Sequence, residues 1–161
     1  MGGAPVPKKM LLPVFLFVLA VPLAAQDSAP RDFSGSWALS IPKSTLAKDS
    51  TIKSETIVID NKKGAIVFHY KTDGKKSTET YTPDGQNRVV RDMSSGQLIS
   101  KAYWQESALV IESVLQIKIP NVTVSVSGLK PVVDKWILSP DGRTLSHDAN
   151  DGKEVYVYDK Q

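Results

Sequence analysis

The 161 residues carry 20 Lys and Arg against 17 Asp and Glu, a formal net charge of +3, and no cysteine. That length fits one domain, and the missing cysteines exclude disulfides, thiol catalysis, thiolate-bound zinc and a lipid-modified cysteine. Two basic residues, Lys8 and Lys9, lie in the first 25 positions, which leaves 18 basic residues against 17 acidic ones in the remainder; so balanced a chain gives no electrostatic ground for binding nucleic acid or a membrane surface.

Positions 1–25 read as an export signal. Lys8 and Lys9 precede the apolar run Met10–Val21, and Leu23-Ala24-Ala25 offers small residues for cleavage after Ala25. The run is shorter than the roughly 20 apolar residues that span a bilayer. The mature chain is therefore expected to be secreted or periplasmic, with no membrane contact beyond the cleaved signal. Residues 26–32, polar and carrying Pro30, read as a flexible leader. The remainder, 33–161, is expected to form one β domain.

Phe33-Ser34-Gly35-Ser36-Trp37 opens that domain. Glycine lets the backbone pass close to a neighbour, and the tryptophan two residues later can plug one end of a small barrel. Gly35–Ile41 reads as the first strand, ended by Pro42. Ser44–Asp49 could form about one helical turn, with Ser44 as cap.

From Ser54 onward, strand and turn alternate. Glu55–Asp60 is β-branched, and Ala65–Lys71 puts Ile66, Phe68 and Tyr70 on one face with Val67, His69 and Lys71 on the other. Thr72-Asp73-Gly74 turns the chain into Lys75–Tyr81, whose lysines and hydroxyls mark an exposed or edge strand. Pro83-Asp84-Gly85 is a strong turn signal. Further strands are expected at Asn87–Met93, Gln97–Trp104 and Ala108–Ile119, with Gln105–Ser107 a tight reversal. In the second of these, Leu98, Ser100, Ala102 and Trp104 share a face. Pro120–Pro131 reads as a strand with a bulge or corner. Val132–Ser139, Arg143–His147 and Lys153–Asp159 complete the series, the last pair joined through Asp148–Gly152.

About ten short strands with hairpin-length connections and no convincing helix predict an antiparallel up-and-down meander. Closure into a barrel of about 8–10 strands would remove the exposed edges.

Two stretches, Phe33-Ser-Gly-Ser-Trp-Ala-Leu-Ser-Ile-Pro-Lys-Ser and Trp136-Ile-Leu-Ser-Pro-Asp-Gly-Arg-Thr-Leu-Ser, resemble short secreted bacterial lipocalin-like proteins of unassigned function. The resemblance implies a calycin-type barrel, often with a cavity for a small apolar ligand. It also implies a late basic residue over the plugging tryptophan, for which Arg143 and Lys153 are the candidates. The fatty-acid-binding branch would need a helix pair after the first strand, which Ser44–Asp49 cannot supply, so ligand class does not transfer.

Phe68, Tyr70, Arg91, Trp104 and Trp136 are the candidate ligand-binding residues. The aromatics offer apolar surface. Arg88 and Arg91 are three apart and so face opposite sides of a regular strand; Arg91, grouped with Val89 and Met93, is the one expected inward, where its guanidinium could meet a ligand carboxylate. His69 and His147, the two histidines, lack adjacent partners for catalysis or metal binding. Asp148–Gly152 lacks calcium-loop spacing and reads as a hairpin turn. Asn121-Val122-Thr123 is a glycosylation sequon, relevant only in a eukaryotic secretory route. No cofactor or metal motif appears. An enzyme would rest only on in-strand acids such as Glu79, Glu112 and Asp134 turning inward. The function expected is a non-enzymatic barrel holding a small apolar or amphipathic ligand. The alternative is a structural or interaction module of the envelope whose barrel is filled by side chains, with an unknown protein partner.

Overall fold

The computed structural model describes residues 1–2, 31–62, 64–94, 96–119, 122–123 and 130–161. Residues 3–25 of the expected export signal and 26–30 of the expected leader lie outside the described residues, as do 120–121, including Asn121 of the sequon, and 124–129 of the irregular Pro120–Pro131 segment.

Among the described residues, eleven antiparallel strands follow one another: β1 (Gly35–Leu39), β2 (Glu55–Lys62), β3 (Ala65–Thr72), β4 (Lys75–Tyr81), β5 (Asn87–Met93), β6 (Gly96–Gln105), β7 (Ala108–Ile119), β8 (Val122–Thr123), β9 (Val132–Leu138), β10 (Thr144–Ala149) and β11 (Glu154–Lys160). They pair in the order β4-β3-β2-β1-β11-β10-β9-β7-β6-β5, with the two-residue β8 attached to β7. First and last strands therefore meet, through Trp37 opposite Lys160 and Leu39 opposite Tyr158. The ten strands of that path form a nearly closed lipocalin-like barrel, and the break in the ladder falls in mid-chain, between β4 and β5. β4 is an edge strand, as its lysines and hydroxyls predict, and most of its residues are exposed.

The hairpins follow from turn chemistry. Asp73 and Gly74 take φ of 48° and 84°, the left-handed pair that lets a two-residue turn match the strand twist. Gly96 serves a different need. A Cβ there would stand 2.3 Å from the Gln116 carbonyl oxygen, so only glycine lets β6 and β7 approach this closely.

Two local expectations are corrected. The helical turn forms earlier than Ser44–Asp49, as a 3-10 turn over Ile41–Lys43 with Pro42 inside it. Proline is tolerated at the start of such a turn because its missing N–H would be unpaired anyway. Ser44 instead ties the turn to β11, donating from Oγ to the Ser40 carbonyl and accepting from the Val157 N–H. Arg88 and Arg91 do not face opposite sides, because a bulge between Val89 and Arg91 restores them to one side. The same bulge separates Arg91 from the face of Val89.

The core occupies the end of the barrel that Trp37 plugs. Phe33, Trp37, Ile57, Ile59, Phe68, Leu109, Leu145 and Tyr158 are essentially inaccessible to solvent. Trp37 donates from its indole N–H to the Phe33 carbonyl at 2.9 Å, and Phe33 meets Trp104 edge-on at 5.4 Å. The late basic residue over the plug is neither Arg143 nor Lys153. It is Lys160, whose ammonium lies 5.3 Å from the Trp37 ring centroid because β11 pairs directly with β1.

Candidate functional site

Successive inward positions on each strand change character along the barrel axis. On β2 they run Ile59, Ile57, Glu55; on β3, Ile66, Phe68, Tyr70, Thr72; on β4, Tyr81, Glu79, Ser77. On β9 they run Trp136, Asp134, Val132; on β10, Leu145, His147, Ala149; on β11, Tyr158, Tyr156, Glu154. Apolar side chains therefore gather at the Trp37 end, and carboxyls, phenols and one imidazole gather at the other. There they line a cavity of about 420 Å³, to which Ile52 and Asn150 also contribute.

Hydroxyl donors hold three of the four carboxyls in this wall. Tyr158 donates to Glu55 at 2.7 Å, Tyr156 to Glu154 at 2.7 Å, and Tyr81 to Glu79 at 2.9 Å; Thr72 also donates to Glu55. Burial, more than any neighbour, raises the pKa of Tyr81, Tyr156 and Tyr158, so these phenols keep their protons and act as donors. Asp134, the fourth acid, accepts from the Asn150 N–H at 3.0 Å. Its carboxyl is pushed above the usual range, first by burial and then by repulsion from Glu79, Asp151 and Glu154, against the lowering effect of that N–H.

One buried polar atom in the wall, His147 Nε2, has no hydrogen-bond partner among the described residues. The Tyr70 hydroxyl makes no hydrogen bond among the described residues, and burial raises its pKa well above the usual phenol value. His147 Nε2 lies 3.9 Å from Asp134 Oδ1. The His147 ring stacks on Trp136 at a centroid distance of 4.0 Å and an interplanar angle of 6°. Burial pushes its pKa down to about 4, so the ring is neutral at pH 7.

The five residues singled out from sequence do not form one site. Tyr70 lines the cavity. Phe68 and Trp136 are core residues beneath it, 4.9 Å apart by ring centroids, with Trp136 2% exposed. Trp104 lies at the opposite end, beside a smaller pocket of about 190 Å³ that Ile66 and Pro83 also line. Arg91 is exposed, and its guanidinium is engaged by Glu79 at 2.7 Å across the gap between β4 and β5. Glu55, Glu154, Tyr156 and Tyr158 are cavity residues that sequence reading passed over, and His147, which it set aside for lack of adjacent partners, joins them. The signal was present in β11, where Glu154, Tyr156 and Tyr158 alternate on one face. His69 points outward, as its strand parity predicts. The described residues contain no group of three or more His, Asp or Glu placed to hold a metal ion.

No protein-family profile and no curated protein matches the sequence. Solved structures match the fold. A fatty acid transporter named REP1-NXSQ superposes with a TM-score of 0.56 at 12% identity, covering 81% of this chain and 96% of its own. A fatty acid binding protein of Schistosoma mansoni, in complex with arachidonic acid, gives 0.54 at 14% identity, covering 84% and 98%. Apo lipid binding protein 8 of Caenorhabditis elegans gives 0.56 at 12%, covering 80% and 95%. The fold is thus a calycin-type barrel of the kind seen in fatty-acid-binding proteins. The described residues between β1 and β2 contain a 3-10 turn and no α-helix.

Proposed function

We propose that this protein is a non-enzymatic carrier that holds one small amphipathic molecule inside its barrel. The observation that carries this reading is the cavity of about 420 Å³ at the unplugged end, lined by inward side chains of β2, β3, β4, β9, β10 and β11. A volume of that size falls within the range of small-molecule sites. The solved structures of the same fold include a protein in complex with arachidonic acid, which supports an apolar or amphipathic guest. The filled half of the barrel supplies rigidity, and the Phe68–Trp136 layer forms the floor beneath the guest.

Glu79 and Asp134, the in-strand acids on which an enzyme would rest, do face this cavity. Both have holding contacts: Glu79 from Tyr81 and Arg91, Asp134 from the Asn150 N–H. We read them as wall groups. The carrier would act after export, a reading that rests on residues 1–25 alone.

The test is native mass spectrometry of the protein purified from its own host, with displacement of an environment-sensitive lipid dye as a second readout. A retained small molecule at one per chain, or saturable dye binding, supports the carrier. A bare protein that binds no dye would return the reading to the envelope module with a solid barrel.

A further inference from the structure

The cavity wall is unusual in its charge. It presents four carboxyl groups, from Glu55, Glu79, Asp134 and Glu154, and the only cation paired with any of them among the described residues is Arg91, on Glu79. His147 adds no charge at neutral pH. The tyrosine donors fix these carboxyls without neutralising them, and an ionised carboxylate has about four acceptor sites, of which the hydroxyls use one or two. His147 Nε2 is a further buried polar atom left without a hydrogen-bond partner at the cavity among the described residues. The rings of Tyr70, Tyr156 and Tyr158 add aromatic surface to the same wall, and such surface attracts cations.

From this arrangement we infer that the guest is an organic cation, an amphipathic amine or quaternary ammonium, and that the wall rejects fatty acids. The inference rests on the carrier reading and specifies its ligand. A carboxylate guest would bring a further negative charge among four acids, with Arg91 already engaged. A cation instead meets acceptors held in place before it arrives, so little ordering is needed on binding. Its chain would lie toward Phe68 and Trp136, where the inward positions become apolar. A bare metal ion fits poorly, because the acids are spread around a wall and no group of three or more converges among the described residues.

The experiment uses three probes of equal chain length, decyltrimethylammonium, decanoate and decanol, titrated calorimetrically at pH 7 and low salt into the mature protein. The cation is expected to bind at least tenfold more tightly than decanoate. Glu154→Gln should weaken the cation at least threefold and by a larger factor than it changes decanol. Arg91→Gln, which frees the Glu79 carboxyl, should tighten the cation at least twofold, the opposite of what a folding defect would do. Decanoate or decanol binding as well as the cation would overturn the inference and leave the carrier standing. Binding of none of the three would overturn both.

Discussion

Arg91 Nη2 lies 2.7 Å from Glu79 Oε1, and this ion pair bridges β4 and β5, the neighbouring strands that share no ladder hydrogen bonds. The bulge after Val89 makes the contact, because it turns Arg91 to the side on which Glu79 stands. The pair is more than half exposed on the arginine side, so its contribution to stability is small, about 0–1 kcal/mol. We expect Arg91→Ala to lower stability by less than about 1 kcal/mol, yet to speed amide hydrogen exchange in β4 and β5 relative to β10 and β11. Unchanged exchange at the gap would show that the ion pair does not hold it.

Trp37 is expected to be the costliest single truncation. It is fully buried and bonded through its indole, so Trp37→Ala should cost about 3–5 kcal/mol. Trp37→Phe keeps most of the apolar contact but removes the donor to the Phe33 carbonyl, at about 1–3 kcal/mol. Lys160→Met should cost less than either, about 0.5–1 kcal/mol, because it removes only the cation over the Trp37 ring and leaves the buried indole in place. Urea denaturation would rank the three, and Lys160→Met proving as damaging as Trp37→Ala would contradict the plug.

Two tyrosines in one cavity should respond differently to loss of their hydroxyls. Tyr70→Phe removes a hydroxyl that makes no hydrogen bond among the described residues, so stability should change by less than about 0.5 kcal/mol or rise slightly. Tyr158→Phe takes a buried donor from Glu55 and should cost about 1–3 kcal/mol. Equal losses in thermal or urea midpoints would mean the Tyr70 hydroxyl is bonded after all.

His147 makes stability fall in mild acid. Its folded pKa is depressed, to about 4 from 6.5, so the folded state resists protonation while the unfolded chain takes up a proton. The penalty is absent above pH 6.5, grows as pH falls toward 4 and is complete below that, reaching on the order of 3 kcal/mol. Asp134 opposes this in part, because its raised carboxyl pKa makes the folded state bind a proton more readily as pH drops. His147→Phe retains the stack on Trp136 and should flatten the stability profile between pH 6.5 and 4. A profile identical to the parent protein's would place the acid sensitivity elsewhere.

Gly96 tests the closest strand approach. Gly96→Ala should destabilise by about 1–3 kcal/mol, since the added Cβ meets backbone at 2.3 Å and the strands must part. A neutral result in urea denaturation would mean that β6 and β7 are spaced more widely there.

Much of the barrel was legible in the chain itself. Period-2 alternation in Ala65–Lys71, the turn signals at Asp73-Gly74 and Pro83-Asp84-Gly85, and the Gly35-x-Trp37 start are local features, and local sterics alone place them in strands and turns. The candidate site was not legible in the same way. Tyr70 was found because aromatics mark buried faces, whereas Glu55, His147 and Glu154 look like ordinary surface residues until six strands bring their inward positions around one cavity. The parity of Arg91 was lost for a related reason, since a one-residue bulge leaves no mark in composition.

Sequence by itself determined that this chain makes short antiparallel strands and that a tryptophan stands at the start of the first, because strand and turn preferences are set by each residue and its immediate neighbours. Tertiary structure alone decided the register in which β1 closes on β11, that Lys160 covers Trp37, and that four acids share one wall. Those outcomes depend on strand register, and register is set by pairings between residues as much as about 120 positions apart in the chain.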